Sequence, residues 1–217
     1  ANAYNNLGIT LKKLGELENA VKNIKIAISL QPDFEGAFNN LGFTLIELGE
    51  LDKAEQYLRQ SIKLKPDFAE AYNNLGITLH DKLKHNEAES CLRKAIQIKP
   101  DFAEVYNNLS NVIRDLDRLD EAEDNARKAI QLKPNYAEAY NNLGIIFQEK
   151  GNYEEAIKCF DYACNLNFEF EEAQISLVNS LDGIIFKKHN LNLQNTIAKI
   201  LRKKTYARAE TIVNSSI

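Results

Sequence analysis

The chain has 217 residues, 44% apolar and 27% charged, with four prolines and nine glycines, which excludes a disordered or collagen-like chain. No apolar run reaches the ~20 residues of a membrane-spanning helix, so no membrane partner is expected. The net charge of −4 is uneven: after Asp182 seven basic residues face the single acid Glu210, whereas residues 1–182 carry 20 basic and 30 acidic residues, a body unsuited to nucleic acid.

The opening stretch ANAYNNLGIT has neither a charged leader nor an apolar signal core, so a cytoplasmic setting is expected. The chain lacks methionine and starts on a repeat boundary, which reads as a processed chain or a fragment of a larger protein. Cys91, Cys159 and Cys164 lie in apolar-periodic stretches without metal-type spacing, so they read as small buried residues.

The phrase AYNNLG recurs at Ala3–Gly8, Ala71–Gly76 and Ala139–Gly144, with relatives at Ala37–Gly42 and Val105–Ser110, always offset by 34 residues or a multiple. Repeats therefore begin at Ala1, Glu35, Ala69, Ala103 and Ala137, with a degraded sixth at Glu171. Positions below are counted from these starts. In the first repeat Tyr4, Leu7, Gly8 and Leu11 form one helical stripe. Gly15 supplies the left-handed residue that ends the helix, as do Gly49 and Gly151. Leu83 and Asp117 stand there in the third and fourth repeats, so a different turn is expected in each. A second helix carries Ala20, Ile24, Ala27 and Ile28, and Pro32 stops it, as do Pro66, Pro100 and Pro134. Asp33, Asp67, Asp101 and Asn135 are placed to cap the following helices. Gly8, Gly42, Gly76 and Gly144 are expected to face Ala20, Ala54, Ala88 and Ala156 across each hairpin. Ile24, Leu58, Leu92 and Phe160 are expected to fill space between repeats.

The tyrosine, Leu-Gly pair, two alanines and proline at positions 4, 7–8, 20, 27 and 32 resemble the tetratricopeptide repeat, in five copies covering residues 1 to about 168. Ser110 for glycine and Ser61 for alanine are departures. The resemblance implies an all-α fold, a right-handed superhelix of antiparallel helix pairs. The expected organisation is five repeats (1–34, 35–68, 69–102, 103–136 and 137–170), a capping helix over 171–187 and a basic helical segment over 188–217. Ala173, Leu177, Leu181 and Ile184 form the stripe of the cap, and Leu193, Ile197, Ile200 and Leu201 that of the last segment. The basic residues of that segment read as a solvated face.

No catalytic constellation is evident. His80 and His85 are five residues apart, a poor fit to one helix face, and His189 stands alone, so neither metal nor cofactor is expected. No phosphate loop or nucleophile elbow occurs. An enzymatic activity within the chain is not expected.

In this family the first helices line a groove, which implies that positions 2, 5, 6, 9, 12 and 13 form the binding surface. Position 5 is asparagine in all five repeats, and so is position 6: Asn6, Asn40, Asn74, Asn108 and Asn142. An amide offers donors and an acceptor, which match a peptide backbone. The position-6 row is similar to the asparagine ladder of the O-GlcNAc transferases, which contacts extended peptides. The same asparagines would equally serve to bond neighbouring helices. Position 9 adds Ile9, Phe43, Ile77, Asn111 and Ile145, either an apolar strip for anchor side chains or core between repeats. Glu70, Glu104, Glu138, Glu47, Asp81, Asp115 and Glu149 make the rims acidic. Co-chaperones of this family grip acidic chaperone tails with lysine at position 5, where this chain has asparagine. The expected partner is therefore an extended protein segment, neutral or basic, bound by a scaffold. A substrate-recruiting arm of a larger transferase is the alternative, and end-to-end self-association is a third.

Overall fold

The thirty-four-residue pattern becomes helices because each repeat carries two apolar stripes with a period near 3.6, separated by turn signals. In the computed structural model, residues 1–181 and 191–202 are described. Among them every regular element is an α-helix. Residues 182–187 of the expected cap, Ile184 among them, and most of the basic segment lie outside the described residues.

The chain divides into two compact units, Ala1–Leu116 and Asp117–Ile217. The first holds α1 (Asn2–Lys13), α2 (Leu17–Leu30), α3 (Glu35–Glu47), α4 (Leu51–Leu64), α5 (Ala69–Asp81), α6 (His85–Ile98) and α7 (Ala103–Asp115). Helices α1–α2, α3–α4 and α5–α6 form antiparallel hairpins. Each second helix also packs on the next first helix, and first helices touch one another at α1–α3, α3–α5 and α5–α7. The second unit holds α8 (Leu119–Leu132), α9 (Ala137–Glu149), α10 (Tyr153–Leu166), α11 (Glu171–Ser180) and α12 (Leu191–Arg202). There α9 and α10 form a hairpin, α8 packs on α9, α11 on both α9 and α10, and α12 on α10.

The core lies at the seams between hairpins. Ile24, Ala27, Ala37, Leu41, Leu45 and Ala54 are buried together, with Val21, Ile28, Phe34 and Tyr57 packed against them. Burying one such aliphatic side chain contributes roughly 1.5–3 kcal/mol, so the seam, not the single hairpin, stabilises the array. In α12, Leu193, Ile197 and Ile200 are buried.

The packing glycines meet a different neighbour from the one expected. A Cβ on Gly8, Gly42, Gly76 or Gly144 would lie 2.4–2.6 Å from the side chain of Ile24, Leu58, Leu92 or Phe160. Position 24 thus fills the hairpin at the glycine itself. The alanine four residues earlier contributes its carbonyl, with Ala20 O 3.2 Å from the Gly8 Cβ site. Overpacking such a site costs roughly 1–3 kcal/mol.

Two further expectations need correction. Asp33, Asp67, Asp101 and Asn135 do not cap the next helices: the cap residues are Phe34, Phe68, Phe102 and Tyr136, and none makes a side-chain cap bond. The aromatic instead starts the helix with its backbone, Phe34 O accepting from the N–H groups of Ala37 and Phe38 at 3.0 and 3.2 Å. Leu83 and Asp117 do not make different turns; both adopt φ 59°, beside 72–79° for Gly15, Gly49 and Gly151. The flanking helices dictate the turn, and the residue conforms.

The prolines stop second helices through the residue before them. Gln31, Lys65, Lys99 and Lys133 sit at φ between −135° and −143°, out of the helical region that a following proline disfavours. Asn167 adopts φ −141° although Phe168 follows. There its Oδ1 accepts from Glu169 N–H at 3.1 Å, a side-chain turn in place of the proline.

Candidate functional site

Positions 5 and 6 lie 100° apart on a first helix, so one amide points into the stack and its neighbour lies at the edge. Asn5, Asn39, Asn73, Asn107 and Asn141 are 5–8% exposed. Asn40, Asn74, Asn108 and Asn142 are half-buried and Asn6 is exposed. The two rows are bonded to each other across repeats. Asn40 Nδ2 donates to Asn5 Oδ1 at 3.0 Å, Asn74 Nδ2 to Asn39 Oδ1 at 2.9 Å, and Asn108 Nδ2 to Asn73 Oδ1 at 2.8 Å. These three position-6 amides thus each spend one donor on the preceding repeat, and Asn74 Oδ1 also accepts from Asn73 Nδ2 at 3.5 Å. In the second unit Asn141 Oδ1 is buried without a partner, because α11 offers Ser176 where the other first helices offer asparagine.

Beside this ladder the position-9 side chains Ile9, Phe43, Ile77, Asn111 and Ile145 are all half-buried. They are neither core nor free surface. Phe43 carries the Lys12 ammonium 3.9 Å above its ring.

The acidic rim is partly neutralised from within, by a pairing between neighbouring repeats. The side chain at position 12 reaches position 13 of the next repeat: Lys12 Nζ to Glu47 at 2.8 Å and His80 Nε2 to Asp115 at 2.7 Å. Arg114 Nη2 adds a contact to Asp115 at 3.0 Å, and Lys99 pairs with Glu70 at 3.2 Å. Burial pushes the Asp115 carboxyl up, but the bonds from His80 and Arg114 outweigh it and hold it below the usual range. Burial raises Asp81, against the opposing pull of His80. The signal for this pairing was available, since Lys12 and Glu47, and His80 and Asp115, are both 35 residues apart.

A second contact recurs once in each unit. Lys82 Nζ meets Asp52 at 2.5 Å and Glu55 at 2.7 Å, and Lys150 Nζ meets Asp120 and Glu123, both at 2.6 Å. A hydrogen bond from Lys82 brings the Glu55 carboxyl down to about 2, against burial and with help from Arg59. Burial raises the thiols of Cys91 to about 11 and of Cys159 and Cys164 to about 12, so all three stay protonated at neutral pH.

His80 and His85 are not held apart as their spacing suggested. The turn at Leu83 separates them onto α5 and α6, and their ring centroids lie 5.3 Å apart, edge to face. With Asp115 from the end of α7, their ligand atoms all fall within 4.8 Å of one another.

These features define a helical-hairpin solenoid whose first helices carry a ladder of amides beside an apolar strip. The chain belongs to the tetratricopeptide repeat family, which matches it over residues 1–34, 33–101 and 101–167. No curated protein sequence matches it. Among solved structures it is similar to pilF of Pseudomonas aeruginosa, at 18% identity and TM-score 0.78 over 98% of this chain and 95% of that one. It is also similar to MamA, at 25% identity and TM-score 0.63 over 76% and 96% of the two chains. A third is YrrB, described as a TPR protein with an unusual peptide-binding site, at 20% identity and TM-score 0.60 over 80% and 89%. No described helix is long and apolar enough to cross a membrane.

Proposed function

We propose that the chain is a protein-binding scaffold that holds an extended, neutral or basic segment across its first helices. In the first unit the segment lies over Asn6, Asn40, Asn74 and Asn108, with Ile9, Phe43 and Ile77 receiving its apolar side chains. In the second unit Asn142 and Ile145 supply the same positions. The observation that carries this reading is the half-buried state of every position-9 side chain. A strip half shielded by the stack completes its burial only against something else. The second N–H and the Oδ1 of Asn40, Asn74 and Asn108 match a peptide group. YrrB, with its peptide-binding site on the same fold, supports the assignment.

The test is to select extended peptides from a random library against the chain and measure their binding to wild type and to the double variant Phe43→Ser, Ile77→Ser. Losing two anchors is expected to weaken binding by about tenfold or more, with a melting temperature lowered by only a few degrees. Unchanged affinity in a folded variant refutes the site. Peptides ending in Glu-Glu-Val-Asp are the negative control, since position 5 lacks lysine.

The asparagine rows also favour a second reading, in which the array recruits substrate for a transferase domain of a larger protein. Co-purification of a glycosyl- or other transferase activity with the native full-length protein supports it; an inactive native protein that still binds peptide leaves the scaffold reading alone.

A further inference from the structure

Three side chains converge at one point, and one of them, His85, breaks the pattern of its repeat position. Position 17 is Leu17, Leu51, Leu119 and Tyr153 in the other repeats and His85 in the third. Position 12 there is His80, where the others have Lys12, Ile46, Arg114 and Gln148. The donor from the next repeat is Asp115. Nothing in packing asks for histidine at position 17. An imidazole placed there is poorer in apolar contact than the leucine it replaces, and its Nδ1 is buried without a hydrogen bond. An unpaired buried polar atom of this kind costs roughly 1–3 kcal/mol.

We propose that His80, His85 and Asp115 form a binding site for a divalent transition-metal ion of the zinc class. Two imidazoles and one carboxylate are the donor set such an ion prefers, and three protein ligands leave a fourth position for water. Metal–ligand distances of about 2.0–2.2 Å set the donors roughly 3.3–3.5 Å apart. The three ligand atoms already lie within 4.8 Å of one another, so small side-chain rotations close the set. The backbone need not move, because the donors sit at the end of α5, the start of α6 and the end of α7. The C-terminal ends of α5 and α7 favour a cation there, and the N-terminus of α6 opposes it. Of the neighbouring charges, Arg114 on Asp115 is unfavourable and Asp81 favourable. On binding, the ion displaces the hydrogen bond between His80 Nε2 and Asp115 Oδ2. The site would pin three helices of the first unit at the one turn lacking glycine among the three whose two helices both lie there.

The experiment is calorimetric titration of the full chain with Zn2+, with Co2+ as an optical probe, for wild type, His85→Leu and Asp115→Asn. His85→Leu installs the residue found at that position in three other repeats, so it is expected to fold and to be at least as stable without metal. Wild type is expected to bind one Zn2+ with micromolar affinity and to gain melting temperature from it. Both variants are expected to lose at least about tenfold in affinity, since even outer partners of metal ligands are worth 10–100-fold. The Co2+ complex is expected to show d–d absorption without a thiolate charge-transfer band. Equal affinity in wild type and His85→Leu, a thiolate band from the cysteines, or no saturable binding below millimolar Zn2+ overturns the proposal.

Discussion

Leu83 occupies the left-handed region at φ 59°, and the residue is 78% exposed. For an L-residue with a Cβ that conformation costs roughly 1–2 kcal/mol, and an exposed side chain gains little to offset it. Gly15 and Gly49 hold the same turn with nothing within 4 Å of where a Cβ would stand, so φ, not space, is what selects glycine there. Leu83→Gly is therefore expected to stabilise the protein by about 0.5–1 kcal/mol, after the greater unfolded-state entropy of glycine is subtracted. Chemical denaturation measures this, and a variant less stable than wild type refutes it. The sequence could not announce this φ, because leucine has no preference for it. Proline and glycine declare their backbone; leucine and Asp117 inherit theirs from the helices on either side. The histidine pair was illegible for a related reason: spacing along one helix says nothing about two residues that flank a tight turn.

Between elements, Lys82 ties the end of α5 to α4 through Glu55 and Asp52. Lys150 does the same from the end of α9 to α8. The folded state favours ionised Glu55, whose carboxyl it lowers from 4.5 to about 2. The stability this adds is full above pH 4.5 and is lost as pH falls towards about 2. Solvent screening of Lys82 and Arg59 keeps the contribution to about 1 kcal/mol. Glu55→Gln is expected to melt below wild type at neutral pH, with the gap closing across that acid window; a gap independent of pH refutes the linkage. The helices themselves were readable from period, turn glycines and prolines. Their caps were not, because the capping position falls on the aromatic and the bond runs through backbone rather than through Asp33 or its equivalents.

At the scale of the stacked array, the asparagine rows were visible as repetition, but their bonding was not. Repetition at one position is silent about whether a side chain faces a ligand or the neighbouring copy, and only the stacking register decides. The structure shows Asn40, Asn74 and Asn108 bonded to the preceding repeat, so their replacement has a stability cost beyond any effect on a partner. Asn74→Ala with Asn108→Ala orphans two buried acceptors, Asn39 Oδ1 and Asn73 Oδ1, at roughly 1–3 kcal/mol each. Asn73 Nδ2 also donates to Asn74 Oδ1 at 3.5 Å, so both sites belong to one hydrogen-bond chain, and the double variant is expected to lose stability in chemical denaturation by an amount that departs from the sum of the two single losses. No loss of stability would mean that water replaces the amides and that the rows face outward. The apolar strip at position 9 was legible as residues, yet its half-buried state depended on the same register.

In the first unit the ladder has a direction: Asn40, Asn74 and Asn108 each hand a donor back to the copy before, where Asn5, Asn39 and Asn73 supply the acceptor. A polymer built on such a rule can be lengthened without redesign. Duplicating one 34-residue stretch in register brings in a donor and an acceptor together, and every bond the insertion interrupts is remade. Unequal recombination between near-identical AYNNLG stretches would then produce longer and shorter arrays that keep the same bonds between neighbouring copies. The same pairing that holds neighbours together makes the copy number easy to change.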